Sequence, residues 1–347
     1  MTLKKYHTLV LIGRFQPIHN AHVEIIRRAA EMARQVIIVV GSANQPRTYK
    51  NPWSSKDRQN MLENVLNEGI FDKNCMIRVE HNLDTIYNDQ AWASRVQAIV
   101  GKHTQPGDNI GIIGHKKDGS SFYLDMFPQW KYEDVPLIEP LNASSIRELY
   151  FRPVATPGVN MNFIRGVVPQ PVFRLLEGWK GTPDYEQIIR EREFVENYKK
   201  QYASLPYAPI FVTVDAVVIC SGHVLMVKRR AEPGKGLWAM PGGFLNASTD
   251  RSVQDAMIRE LREETGIKVP APVLIGSIVR SKVFDAIDRS ARGRTITHCF
   301  RIDLPNGDLP KVKGSDDAEK AQFIPLAELD SSNMFEDHWE IITAMLG

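Results

Sequence analysis

The stretch HTLVLIGRFQPIHNAH, residues 7–22, decides how the first half of the chain folds. Its opening apolar run, stopped by Gly13, has the length of a buried strand, and residues 22–34 carry the apolar spacing of an amphipathic helix. A strand that passes through a short loop into a helix points backbone N–H groups and the positive end of the helix dipole at one place, where an anion can sit. His19 and His22 stand three apart at that helix start and face the same anion. An imidazole there can donate to charge that develops during phosphoryl or nucleotidyl transfer. Alone, the HxxH spacing fits a surface pair or two metal ligands equally well.

The same alternation continues outward. Residues 36–40, 76–80 and 109–113 read as strands, and residues 56–68, 90–100, 144–150 and 159–166 as helices. Strands separated by helices of this length predict a parallel sheet with right-handed crossovers. Residues 184–203 are charged, helical and free of glycine and proline, and Pro206 and Pro209 follow them. We therefore expect a first domain over 1–183, a connecting helix over 184–205 and a second domain over 206–347. In the second, residues 211–220 and 224–228 pair around Ser221-Gly222-His223. Residues 278–284 and 296–304 add strands, and one clear helix spans 252–265. That is an α+β plan.

Composition supports two cores: 347 residues, 43% hydrophobic and 24% charged. With 43 basic against 41 acidic residues, nothing draws the chain as a whole to nucleic acid or a membrane. Three dispersed cysteines (Cys75, Cys220, Cys299) suggest reduced thiols in a cytoplasmic protein, and no run is long enough to span a bilayer. Self-association is left open.

GRFQPIHNAH resembles the phosphate-binding signature of the nucleotidyltransferase superfamily, with Ala21 where glycine is usual. NASSIR, residues 142–147, resembles the second motif of that superfamily. The resemblance implies a Rossmann-like α/β domain. Its phosphate contacts would come from Gly13, Arg14, Phe15, His19, His22, Ser144, Ser145 and Arg147. Ser144 is expected to cap the helix that follows it, though two serines before a helix are often nothing more than a cap. GSANQPRT (41–48, with Asn44 and Arg47), NPW (51–53), Arg58, YNDQAW (87–92) and GHKKD (114–118, with Lys116 and Asp118) resemble nicotinamide-mononucleotide (NMN) adenylyltransferases of the archaeal branch. In that family a tryptophan at the Trp92 position stacks on nicotinamide, a sensible match of a pyridinium with an indole face. Trp92 read without the family is as readily a core residue. The implied reaction joins ATP and NMN to give NAD and pyrophosphate. Transfer to another phosphate, on a flavin or pantetheine compound, is the alternative.

RELREETGI, residues 259–267, sets three glutamates within five positions of a helix, so either flanking Arg259 and Arg262 offset their repulsion or a cation comes to sit among them. It resembles the second half of the Nudix box, with Pro241-Gly242-Gly243-Phe244 as the usual entry. The resemblance implies Glu260, Glu263 and Glu264, with Gly242, as the site of Mg²⁺ (Mn²⁺ the alternative), and Glu263 as catalytic too. The first half of the box departs: fifteen residues separate Gly243 from Arg259 where thirteen are usual, and Arg251 occupies the place of a glutamate. A two-residue insertion in 246–250 and a late helix start at Ser252, with Asp255, account for this. Residues 283–298 resemble ADP-ribose pyrophosphatases and their regulator relatives, with Arg289, Arg292 and Arg294 as candidates to grip phosphate. A solvated loop is the plain alternative. Residues 314–326 resemble an acidic loop that supplies a further ligand or base, Glu319 ahead of Asp317. A Nudix domain that senses ADP-ribose or NAD without turnover remains the second reading.

Overall fold

The structure, a computed structural model, describes residues 4–116, 119–136, 142–152, 159–315 and 317–347. It divides into two compact units, Met1–Ile189 and Arg190–Gly347.

In the first unit β1 (Tyr6–Gly13) leads through the 14–19 loop into α1 (Asn20–Met32), and β2 (Ala33–Val40) follows at once. Then come α2 (Ser55–Leu66), β3 (Met76–His81), α3 (Asp89–Gly101), β4 (Ile110–Gly114), a 3-10 segment (Gly119–Met126) and β5 (Lys131–Asp134). Helices α4 (Ala143–Tyr150), α5 (Val159–Val167), α6 (Gln170–Trp179) and α7 (Pro183–Lys200) complete the run, and the division between units falls inside α7. The five-stranded sheet has the order β3-β2-β1-β4-β5 and its pairings are parallel. Because successive side chains leave opposite faces of a strand, Leu9, Leu11, Val36 and Ile38 enter one core and Val10, Ile12, Ile37 and Val39 another. The chain builds outward from β1 to β3 on one side, then returns with β4 on the other. Such a switch point, at the carboxyl ends of the strands, is where open parallel sheets bind ligands.

The second unit contains β6 (Phe211–Cys220), β7 (His223–Arg229), β8 (Trp238–Ala239), β9 (Gly242–Phe244), α8 (Val253–Thr265), α9 (Ala271–Gly276), β10 (Ile278–Phe284), β11 (Thr295–Asp303), β12 (Ala318–Pro325) and α10 (His338–Leu346). Its seven-stranded mixed sheet runs β10-β11-β6-β7-β12, with β8 beside β7 and β9 beside β6. The turn between β6 and β7 has Ser221 at φ +47° and Gly222 at φ +75°, the two left-handed residues that a tight hairpin needs. Helix α8 closes the core with Ala256, Met257 and Leu261 against Val214, Ala216 and Val218. Residues 314–326, expected as an acidic loop, are mostly strand β12: the apolar side chains of Ala318, Ala321 and Ile324 are buried in the sheet.

Candidate active sites

The 14–19 loop sits on the carboxyl end of β1 and is held from three sides. Phe15 takes φ +53°, uncommon for a residue with a side chain, and its ring lies over Gly13, where a Cβ would come within 3.0 Å of it. Gln16 exchanges two hydrogen bonds with Trp53: its Nε2 donates to the Trp53 carbonyl (2.8 Å) and its Oε1 accepts from the Trp53 N–H (3.1 Å). Arg147, 5% exposed, donates from Nη1 to the Gln16 carbonyl (2.7 Å) and from Nη2 to Ser144 Oγ (3.0 Å). The two sequence motifs, more than a hundred residues apart, thus meet at one place. The cap of α4 is Asn142, whose Oδ1 accepts from the Ser145 N–H (3.0 Å); Ser144, expected as the cap, orients Arg147 instead.

His19 and His22 flank the start of α1 with ring centroids 3.7 Å apart, and Phe15 packs against His22 at 4.9 Å. The His19 backbone N–H donates to His22 Nδ1 (3.3 Å). Exposed Arg14 stands near enough to buried Arg58 and Arg147 to oppose their charge. Burial, reinforced by Arg14, lowers both guanidinium pKa values to about 10. Arg147 Nε has no hydrogen-bond partner among the described residues. Two imidazoles, an exposed guanidinium, a buried one and two helix N-termini therefore converge with few counter-charges, which suits a polyphosphate. Arg58 has other work: it donates to the carbonyls of Arg14 (2.8 Å), Gly41 (2.6 Å), Ser42 (2.9 Å) and Ser54 (3.3 Å), tying together the loops after β1 and β2.

Trp92 lies on α3, half-buried against Tyr123 (6.2 Å, edge-on) and Phe127 (6.1 Å), and the Tyr123 hydroxyl reaches the Ile12 carbonyl at the end of β1 (3.5 Å). Asn44 is buried with its Oδ1 accepting from the Asp84 N–H (2.9 Å). Arg47 is engaged elsewhere: it pairs with Asp57 (2.8 Å) and Asp184 (3.0 Å) and lies against the Trp179 ring. Lys116 pairs with Asp125 (2.6 Å) at an exposed position. Asp118 lies outside the described residues.

The second site is a cavity of ≈ 250 Å³ between β6, β9, α8 and the 335–338 turn. Gly242 and Gly243 open it. A Cβ on Gly243 would stand 2.6 Å from the Glu260 carboxylate, and one on Gly242 would meet the Val214 carbonyl at 2.2 Å. The Gly242 N–H donates to Glu264 Oε2 (2.9 Å). Burial, with Glu260 and Asp215 nearby, pushes the Glu264 carboxyl up to about 8, and burial also raises Glu260. A buried carboxyl and a half-buried one that resist ionisation as close neighbours would be completed by a hard divalent cation, with Glu263 at the rim.

Arg259 is the hub of this site. It makes a two-pronged pair with Asp250 (2.9 and 2.8 Å) and also reaches Glu260 (2.8 Å), Glu263 (2.9 Å) and the Phe244 carbonyl (3.1 Å). The unusual box is thereby explained. Arg251 replaces a glutamate, but the inserted loop brings Asp250 to Arg259, and Ser252 caps a helix that starts at Val253. Gly266, at φ +57°, ends α8.

Arg289 lines the cavity with its guanidinium in a two-pronged pair with Asp337 (3.0 and 3.0 Å). Arg294 donates to the Asp285 carbonyl (2.6 Å) and does not line the cavity. Arg292 does line it, stacked over Phe244 at 5.0 Å. Asp317 is also on the wall, whereas Glu319 is exposed on β12 and is not. Sequence reasoning did not single out Asp215, Arg229, Glu336 and His338. Only Asp215 carried a signal, a charge inside the apolar run VTVDAVVI.

A nucleotide-handling site on a parallel α/β unit and a carboxylate site on a Nudix-like unit define a two-site nucleotide enzyme class. Residues 10–115 match the cytidylyltransferase-like family and residues 209–345 the NUDIX domain. A nicotinamide/nicotinic acid mononucleotide adenylyltransferase from Acinetobacter baylyi is 34% identical over 185 residues, 53% of this chain and 92% of its own length. An ADP-ribose pyrophosphatase from Methanocaldococcus jannaschii is 35% identical over 157 residues, 45% of this chain and 81% of its own. The crystal structure of a bifunctional NMN adenylyltransferase/ADP ribose pyrophosphatase from Francisella tularensis, in complex with AMP and manganese, is 35% identical, covers 98% of each chain and superposes with a TM-score of 0.88. The chain belongs to the family of bifunctional NMN adenylyltransferase/ADP-ribose pyrophosphatases.

Proposed function

We propose that the first site transfers AMP from ATP to NMN, giving NAD and pyrophosphate, and that the second hydrolyses ADP-ribose to AMP and ribose 5-phosphate. The observation that carries the first reading is the meeting of Arg147 with the 14–19 loop beside paired His19 and His22. In adenylyl transfer the NMN phosphate attacks the α-phosphorus and pyrophosphate leaves, with no covalent enzyme intermediate. The work of the protein is to align the two reactants and to hold the growing negative charge. His19, His22, Arg14 and Arg147 do the latter, and Gly13, Phe15, Ser144 and Ser145 shape the loop and helix start they sit on. Trp92 takes the nicotinamide ring.

At the second site Glu260, Glu263 and Glu264 would hold a divalent cation, Mg²⁺ or Mn²⁺, which when bound supplies Lewis-acid polarisation of the diphosphate. Arg259 positions Glu260 and Glu263, and the Gly242 N–H positions Glu264. Asp317 and Glu336, both on the cavity wall, are better placed than Glu319 to take a proton from attacking water. The Asp250–Arg259 pair favours turnover over mere sensing, because the glutamate helix is held in place despite the altered box. The three cysteines are free, and among the described residues no helix is long and apolar enough to cross a membrane; both support a cytoplasmic enzyme.

The test is direct: assay NAD from ATP and NMN, and AMP from ADP-ribose, on the same preparation with Mg²⁺ or Mn²⁺. Absence of either product from the wild-type chain refutes the corresponding half of the reading.

A further inference from the structure

An α-helix ends on carbonyls that have no partner within it. In α8 the N–H of Gly266 takes one of them, that of Arg262 (2.9 Å). The next three belong to Glu263, Glu264 and Thr265, and a segment far along the chain takes them all. The Lys313 N–H donates to the Thr265 carbonyl (2.9 Å), the Ser315 N–H to the Glu264 carbonyl (3.1 Å) and the Ser315 hydroxyl to the Glu263 carbonyl. Gly314 makes this approach possible: a Cβ there would stand 2.7 Å from backbone atoms of Lys320. The glycine lets the segment lie between the end of α8 and β12.

The same segment leads to a group of the second cavity. Two residues after Ser315 stands Asp317, which lines that cavity with Glu260, Glu263 and Glu264. Its backbone is fixed from the side of β7 as well. The Arg230 N–H donates to the Asp317 carbonyl (3.0 Å), and the Ala318 N–H to the Ser315 carbonyl (3.0 Å). Ala318 pairs with Arg229 as β12 begins. The glutamates proposed to hold a cation and the aspartate proposed to take a proton thus sit on separate elements, α8 and the start of β12. Hydrolysis needs them at a fixed separation, because a base acts only within hydrogen-bond reach of the water it activates. Residues 313–315 join the two directly: their donors close α8 and their chain continues into Asp317. Capping alone asks for less, since water satisfies such carbonyls at many helix ends.

We propose that Ser315 is a positioning residue for the hydrolysis. Its hydroxyl and N–H lock the last turn of α8, with Glu263 and Glu264, to the segment that carries Asp317. The separation of cation ligands and base is set there, and Gly314 supports it by leaving room beside Lys320. The inference rests on the hydrolase reading of this cavity.

The experiment uses the full chain and the variants Ser315→Ala, Ser315→Thr and Gly314→Ala. It measures KM and kcat for ADP-ribose with Mn²⁺, hydrogen exchange of the residue 315 amide in the metal-free chain, and the melting temperature. The Ser315 side chain is exposed, so its removal leaves the core intact. Ser315→Ala is expected to lower kcat about tenfold, the usual scale for a group that orients metal ligands. KM should stay within about twofold, the melting temperature should not change, and exchange at residue 315 should quicken. Ser315→Thr keeps the hydroxyl and should restore wild-type kcat and exchange. Gly314→Ala forces the segment away from Lys320 and should lower kcat at least as far. Wild-type kcat in Ser315→Ala, equal losses in the alanine and threonine variants, or a loss of kcat matched by a fall in melting temperature overturns the positioning role while the hydrolase reading stands. A wild-type chain that leaves ADP-ribose intact overturns both.

Discussion

Glu264 is a carboxyl strongly perturbed by its surroundings. Burial raises its pKa to about 8 from the ordinary 4.5, so this one carboxyl favours its protonated form at neutral pH when no metal is bound. The stability that this group contributes is complete below pH 4.5 and is lost as pH rises through about 8, where charge is forced into a buried place. Chelator-treated protein should therefore melt at a falling temperature between about pH 5 and 8 and level off above that, and added Mn²⁺ should reverse the fall. Apparent Mn²⁺ affinity should climb by up to about tenfold per pH unit below 8 and then level off. In Glu264→Gln calorimetry should find weak binding with no such slope; a slope that survives would remove Glu264 from the metal site. At Arg58 the expectation concerns stability alone. Arg58→Ala strands several buried carbonyls, at a cost of at least about 3 kcal/mol. Such a loss lowers the melting temperature of a unit this size by about 6–12 °C, readable by calorimetry. Arg47, Lys116 and Arg289, read from the sequence as nucleotide contacts, each pair with an aspartate in the fold (Asp184, Asp125 and Asp337), and only folding brings those partners near.

At the scale of elements, the stretches with strong periodicity were legible. The strands at 7–12, 36–40, 76–80 and 278–284 and the helices at 90–100 and 252–265 fall within a few residues of β1, β2, β3, β10, α3 and α8. Elements fixed by partners were not. β8 has two residues and β9 three, too few for any pattern, and β9 exists because glycines let it approach Asp215 and Glu260. The charges of β12 disguise its strand, whose buried positions lie among exposed Glu319 and Lys320. The loop before α8 shows the same limit: residue counting exposes a missing glutamate, but only the fold reveals Asp250 as the partner of Arg259. Asp250→Ala should release Arg259 from its anchor and reduce ADP-ribose hydrolysis about tenfold or more, the usual effect of losing a group that orients metal ligands. Ser252→Ala removes only the helix cap and should cost about 1 kcal/mol of stability with little change in kcat. If the two variants lose activity equally, Asp250 is a fold residue and not a positioning one.

Over the whole molecule, each unit has its own sheet, its own core and its own set of charged groups, and the sequence shows this as a change from strand–helix alternation to strand pairs. Chemistry divides in the same way. The groups proposed for the first site are imidazoles and guanidiniums, whereas those proposed to hold a cation at the second are carboxylates. Contacts that serve one reaction have no part in the other, so losses should not cross. His19→Ala/His22→Ala should lower NAD formation by at least about a hundredfold, since donors to developing charge are removed. ADP-ribose hydrolysis by the same protein should stay within about twofold of wild type. Glu264→Gln should do the reverse. Both products are measured on each purified variant under one buffer and metal condition, with melting temperature as the check on folding. A histidine variant that keeps making NAD defeats the catalytic assignment. A variant that loses both activities at an unchanged melting temperature would mean that the two sites are energetically coupled, and the independence argued from their separate cores would have to be given up.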